Sequence, residues 1–119
     1  MEKFNLYQKL DLIDEYWSPK IVGELNGQQV KLAKLQGEFV WHHHDREDEL
    51  FLVLDGRLVI QFRDGDVVME AGDCLVIPHG VEHRPVAAEE VSILLFEPAG
   101  TLNTGNVRSQ HTHEDLDRI

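Results

Sequence analysis

Two periodicities divide the chain. Leu6, Leu10 and Ile13 recur at helical spacing behind Asn5, a residue suited to cap a helix, and predict one short amphipathic helix over 5–14. Trp17-Ser18-Pro19 ends that pattern, because a residue before proline is pushed out of the helical region. From Lys20 onward the apolar residues come in short runs rich in Val, Ile, Leu and Phe, separated by turn residues. Asn26-Gly27 joins Lys20–Leu25 to Gln28–Gln36 as a hairpin, since both residues tolerate the positive φ of a two-residue turn. Breaks at Gly37, Asp55-Gly56, Asp64-Gly65, Ala71-Gly72-Asp73 and Pro78-His79-Gly80 bound further strands near 38–44, 49–55, 57–63, 66–70, 74–77, 83–87 and 91–97. Short strands at close spacing with no helix between them pair antiparallel, in a sandwich, jelly roll or barrel, and exclude a parallel βαβ fold. After Glu97 a turn-rich loop leads into a polar tail, expected as a last helical turn or a mobile end.

Strand parity assigns faces. His42 and His44 point together while His43 points away, and in the next run Glu49, Phe51 and Val53 share a face. An antiparallel return brings the Glu49 carboxylate to the side of the two imidazoles. His83, past the turn at Pro78-His79-Gly80, shares its face with Pro85 and Ala87 and offers a fourth ligand. Val40, Phe51, Val53 and Pro85 are the expected apolar walls of a pocket beside these four groups. Glu38 has the parity of His42 and reads equally as a rim or a cavity residue.

The two stretches resemble the paired motifs of the cupin superfamily. Gly37, His42, His44, Glu49 and Gly56 match the first motif, and Gly72, Pro78, Gly80 and His83 match the second. Gly37 stands one residue closer to His42 than is usual, and Ala87 occupies a position usually held by Asn; neither departure removes a ligand. Trp17-Ser18-Pro19-Lys20 and Asn103-Thr104-Gly105 are similar to the ends of small bacterial cupins. The resemblance implies an all-β cupin jelly-roll β-barrel with a short N-terminal helix. It implies one domain over 1–119: barrel about 20–97, helix 5–14, loop and tail 98–119. It also implies one divalent metal ion on His42, His44, Glu49 and His83.

Three imidazoles and a carboxylate suit iron(II), manganese, nickel, cobalt, copper or zinc without choosing among them. Such a centre suits an enzyme that oxygenates, decarboxylates or isomerises a small oxygen-rich molecule, or a non-catalytic module that binds or senses one. No catalytic residue outside the metal shell is legible in the sequence. The strand face of Leu50, Leu52 and Leu54, opposite in parity to Glu49, needs cover and points with the resemblance to a homodimer.

Composition narrows the partners. A net charge of −11 with scattered Lys and Arg argues against nucleic acid and anionic membrane surfaces. No apolar run approaches the ~20 residues of a spanning helix, and no leader pattern opens the chain, so the cytoplasm is expected. Cys74, the single cysteine, permits no internal disulfide and reads as an inert buried thiol. His111 and His113 read as solvated residues of the tail, His79 as a structural turn residue, and Asp45–Asp48 as an exposed loop.

Overall fold

Asn26 and Gly27 hold φ of 50° and 76°, the left-handed pair that a tight hairpin demands, and fold β1 (Lys20–Leu25) back on β2 (Gln28–Glu38). The computed structural model describes all 119 residues. It adds β3 (Glu49–Asp55), β4 (Arg57–Phe62), β5 (Gly65–Glu70), β6 (Cys74–Ile77) and β7 (His83–Pro98), every ladder antiparallel.

The two strands expected over 83–87 and 91–97 are one strand of 16 residues. Its first half pairs with β4, its second half with β3, and β2 runs along both. Where it passes from one face to the other the register slips: Leu35 faces Val91 but Gly37 faces Ala87, so β7 advances four residues against two of β2. A bulge of that kind bends a strand, and here it closes the jelly roll. One face of the barrel is β1-β2-β7-β3-β6, and the other is β5-β4 against the start of β7.

Inside, Phe51, Val53, Leu58, Ile60, Met69 and Ile93 belong to one cluster of 14 buried apolar residues. They occupy alternate strand positions, as the period of two requires. Outside, the helix α1 (Leu6–Leu10) covers the sheet. Asn5 caps it, its Oδ1 accepting from the backbone N–H of Tyr7 and Gln8 at 3.0 and 3.1 Å. Leu10 and Ile13 pack with Leu32, Leu54 and Leu94. Part of the face assigned to a partner is therefore covered by the chain itself; Leu50 and Leu52 remain half-buried.

The helix is shorter than expected, Leu6–Leu10 rather than 5–14. The backbone N–H of Trp17 bonds to the Lys34 carbonyl at 2.9 Å, and Tyr16 bridges Lys34. That docking draws the chain along β2, which a continuing helix could not follow. The C-terminal segment is not a helix either. Asp117 and Ile119 bracket Ile21 of β1 with backbone bonds of 2.9 and 3.0 Å, and the buried Lys20 ammonium reaches Glu15 and Asp117 at 2.9 and 3.3 Å. Cys74 corrects another expectation: it opens β6 with outward parity and is exposed. No helix is long and apolar enough to cross a membrane.

Candidate metal centre

The strand expected over 38–44 does not form. β2 ends at Glu38, and 39–48 is irregular apart from one bridge between His42 and His83. That bridge is a reciprocal pair, His42 N–H to His83 O at 3.1 Å and His83 N–H to His42 O at 2.9 Å. The backbone N–H of Gly80 bonds to His44 O at 2.7 Å. His42 and His44 still converge, but because β7 and the turn before it grip their backbone, not because of sheet alternation. Glu49 opens β3 and His83 opens β7, so both come from regular strands.

The ligand atoms of His42, His44, Glu49 and His83 all lie within 4.8 Å of one another. The four residues are 2%, 4%, 5% and 1% exposed. Burying three imidazoles and a carboxylate so close together is costly unless something shared satisfies them. The tautomers agree with that demand: His42 Nδ1 donates to Val40 O and His83 Nδ1 donates to Val81 O, both at 2.9 Å, leaving Nε2 of each ring free to act as an acceptor. Nε2 of His83 has no partner at all. Nε2 of His44 lies 2.5 Å from Glu49 Oε1, an ion-pair contact whose alignment falls outside that of a hydrogen bond. Four buried ligand atoms this close together are what a metal site presents, and three nitrogens with one oxygen suit a borderline divalent ion. The cluster can hold a metal ion.

Charge in the cluster is unevenly distributed. Burial, with the neighbouring His83 charge, pushes His42 down to about 4, and burial also lowers His83. Burial opposes a charge on His44 as well, but the adjoining Glu49 carboxylate, with Glu97 and Glu47, outweighs it and raises that pKa. Burial works to raise Glu49; His44, then His83 and His42, prevail and lower it. At neutral pH, then, His42 and His83 are neutral and Glu49 is ionised.

A cavity of about 40 Å³ of free space opens beside the cluster, with His42 and Glu49 on its wall. Trp17, Leu35, Phe39, Phe51, Pro85 and Leu95 are among its apolar lining residues. Of the expected walls, Phe51 and Pro85 line it and Val40 and Val53 do not. Val40 lies past the end of β2, where parity no longer holds, and Val53 is sealed in the barrel core with no exposure.

Two residues that sequence reasoning missed also belong here. Glu97 lines the cavity, and its Oε1 accepts from Lys31 Nζ at 2.8 Å inside the barrel. Its Oε2 is buried without a partner. Burial and the Glu49 charge push its pKa up to about 8 against the pull of Lys31. The signal was available: Lys31 has the inward parity of Ala33 and Leu35, and Glu97 that of Ile93 and Leu95. Charges of opposite sign at inward positions of neighbouring strands predict a buried pair.

The other candidates fall outside the cluster. His43 turns its ring to Asp45 at 2.8 Å, His79 pairs with Asp48 at 3.0 Å in an exposed turn, and Glu38 is an exposed rim residue 3.5 Å from Arg84. His111 is half-buried instead of solvated, its ring centroid 5.4 Å from that of Phe39 and 5.8 Å from that of Trp17.

The cupin domain family model matches residues 28–97, which holds all four ligands, Lys31 and Glu97. YdbB of Bacillus subtilis (strain 168), itself uncharacterized, is 48% identical over 64 residues, a match that spans 53% of this chain and 57% of YdbB. Among solved structures, a cupin-2 domain containing protein from Shewanella frigidimarina NCIMB 400 is 47% identical with a TM-score of 0.79, over 80% of this chain and 93% of that one. Protein NMB1881 from Neisseria meningitidis is 35% identical with a TM-score of 0.75, over 82% of this chain and 100% of that one. A family model spanning more than half of the chain, and two solved relatives that the chain covers almost end to end, show that this protein belongs to the cupin domain family.

Proposed function

We propose that the protein binds one divalent metal ion through His42, His44, Glu49 and His83 and is an enzyme acting on a small molecule taken into the adjoining cavity. The observation that carries this reading is the set of four buried ligand atoms within 4.8 Å, among them His83 Nε2, which has no partner in the protein. A bound ion there would act as a Lewis acid toward a substrate oxygen and, if redox-active, could support oxygen chemistry; oxygenation, decarboxylation and isomerisation are the reactions in scope.

The chain's own residues define the rest. Val40 O and Val81 O fix the tautomers of His42 and His83. The apolar walls from Trp17, Leu35, Phe39, Phe51 and Leu95 favour a molecule with a compact apolar body. Its oxygen atoms would then sit at one or two positions and not all round. Glu97 is the group outside the metal shell suited to hold or move a proton: it lines the cavity, burial favours its protonated form, and its Oε2 has no partner in the protein. That group favours an enzyme over a non-catalytic module on the same centre.

Elemental analysis of anaerobically purified protein tests the first half of the reading. One equivalent of metal in the wild type, lost in His42→Ala and in His83→Ala, is expected. Wild-type protein that never retains metal would leave a degenerate barrel. Turnover and oxygen uptake against diketones, thiols and sugar derivatives, with Glu97→Gln alongside, test the second half. Binding without turnover would mark a sensing or binding module.

We read the assembly as a homodimer. Val76, Leu50, Phe96 and Val30 are register partners in succession across β6, β3, β7 and β2, on the outer face. Val76 is 57% exposed and the other three are half-buried. An apolar row across four strands, continuing past the part that α1 covers, fits a second copy.

A further inference from the structure

We propose that Gly105 and Asn106, in the C-terminal loop beyond the matched family region, are positioning residues of the metal centre; this rests on the metal-binding reading above. The segment that carries His42 and His44 has no ladder to hold it. Its three histidines are instead gripped from three sides. His42 is held by β7, and His44 by the turn at Gly80. His43, between the two ligands, is held at both its polar groups by Asn106: its N–H donates to Asn106 Oδ1 at 2.9 Å, and its carbonyl accepts from the Asn106 N–H at 3.0 Å. These belong to the two peptide groups that join His42 to His43 and His43 to His44. One asparagine therefore fixes both planes that set the spacing and tilt of two ligands.

Gly105 completes the clamp by close approach. Its φ is +57°, and a Cβ there would stand 2.2 Å from the His43 carbonyl oxygen and 3.1 Å from Cδ2 of His42. Cδ2 is bonded to Nε2, the ligand nitrogen of that ring, so any side chain at 105 would press on the ligand's coordinating edge. The loop is itself braced against such movement. Thr104 is fully buried and donates from Oγ1 to Val107 O at 2.8 Å. Asn103 ties the strap to the tail, donating to His111 O at 2.7 Å and accepting from His113 N–H at 2.9 Å. His111 in turn packs on Phe39, whose ring meets His42 edge-on at 5.3 Å. Asn103-Thr104-Gly105 thus has a physical role, as the brace of an external clamp on a segment the sheet leaves loose.

Groups that orient metal ligands from outside the coordination shell typically contribute about 10- to 100-fold in affinity. The test is Co²⁺ and Zn²⁺ binding by chelator competition, with the Co²⁺ absorption spectrum and the melting curve of the metal-free protein recorded on each variant. Asn106→Ala should bind 10- to 100-fold more weakly with an altered Co²⁺ spectrum, and Gly105→Ala at least as weakly. Asn106→Asp, which keeps the accepting oxygen, should stay within about threefold of wild type, and the exposed Gln110→Ala should match it. Wild-type affinity and spectrum in both Asn106→Ala and Gly105→Ala would overturn the inference and leave the metal reading intact. An equal loss in Asn106→Asp would also overturn it, because the bond to His43 N–H would then not be the cause. Wild-type protein that binds neither ion would sink the metal reading, and this inference with it.

Discussion

Acidification from pH 7 to pH 5 distinguishes this centre from three ordinary histidines. Metal and proton compete for the same Nε2 atoms, so affinity falls as each ligand charges. A histidine at its usual pKa of ~6.5 costs about 25-fold across this interval, and three of them on the order of 10⁴-fold. The structure gives a different sum. His42, pushed down to about 4, is already neutral and costs almost nothing. Glu49 is lowered and stays ionised, and His83 is lowered by burial and so costs less than an ordinary histidine. Only His44 is raised, and one raised group costs between about 25-fold and the 100-fold limit of a single proton over two pH units. The expected fall is roughly 25- to 2,500-fold. Isothermal titration in buffers of different ionisation enthalpy should accordingly find one to two protons released per metal near pH 6. A fall of 10⁴-fold or more would show that burial does not hold His42 and His83 neutral. A fall below about tenfold would show that His44 is not a ligand.

Lys31→Met strips the buried Glu97 of its cation, and above about pH 8, where Glu97 is ionised, breaking such a pair costs about 3–5 kcal/mol. Because the folded pKa of Glu97 lies above its unfolded value, stability is kept below the unfolded pKa and lost as pH rises through about 8. Urea unfolding should therefore show a larger deficit at pH 9 than at pH 6, and equal deficits would refute the assignment. Asn5→Ala removes the acceptor for two N–H groups of α1 and should cost about 1 kcal/mol by the same assay. Val76→Glu sets a charge in the apolar outer row and should yield a monomer by light scattering with metal content unchanged. A wild-type monomer at micromolar concentration would remove the dimer.

Local rules made much of this protein legible. Asn26-Gly27 fixed a hairpin because few other residues accept its backbone angles, and alternation placed Glu49, Phe51 and Val53 on one face because a strand has a period of two. The four residues of the cluster were legible because their types and spacings are restrictive, although His42 and His44 meet without the strand that the parity argument assumed. Contacts between distant segments decided the rest. The helix stops at Leu10 because Trp17 docks on Lys34, Cys74 is exposed because β6 turns it outward, and β7 bends because it must pair on two faces. The closeness of Lys31 to Glu97, 66 positions apart, and of Asn106 to His43, 63 apart, is a property of the closed barrel. Periodicity reports which side of an element a residue takes, and only the packing of elements reports what it meets there.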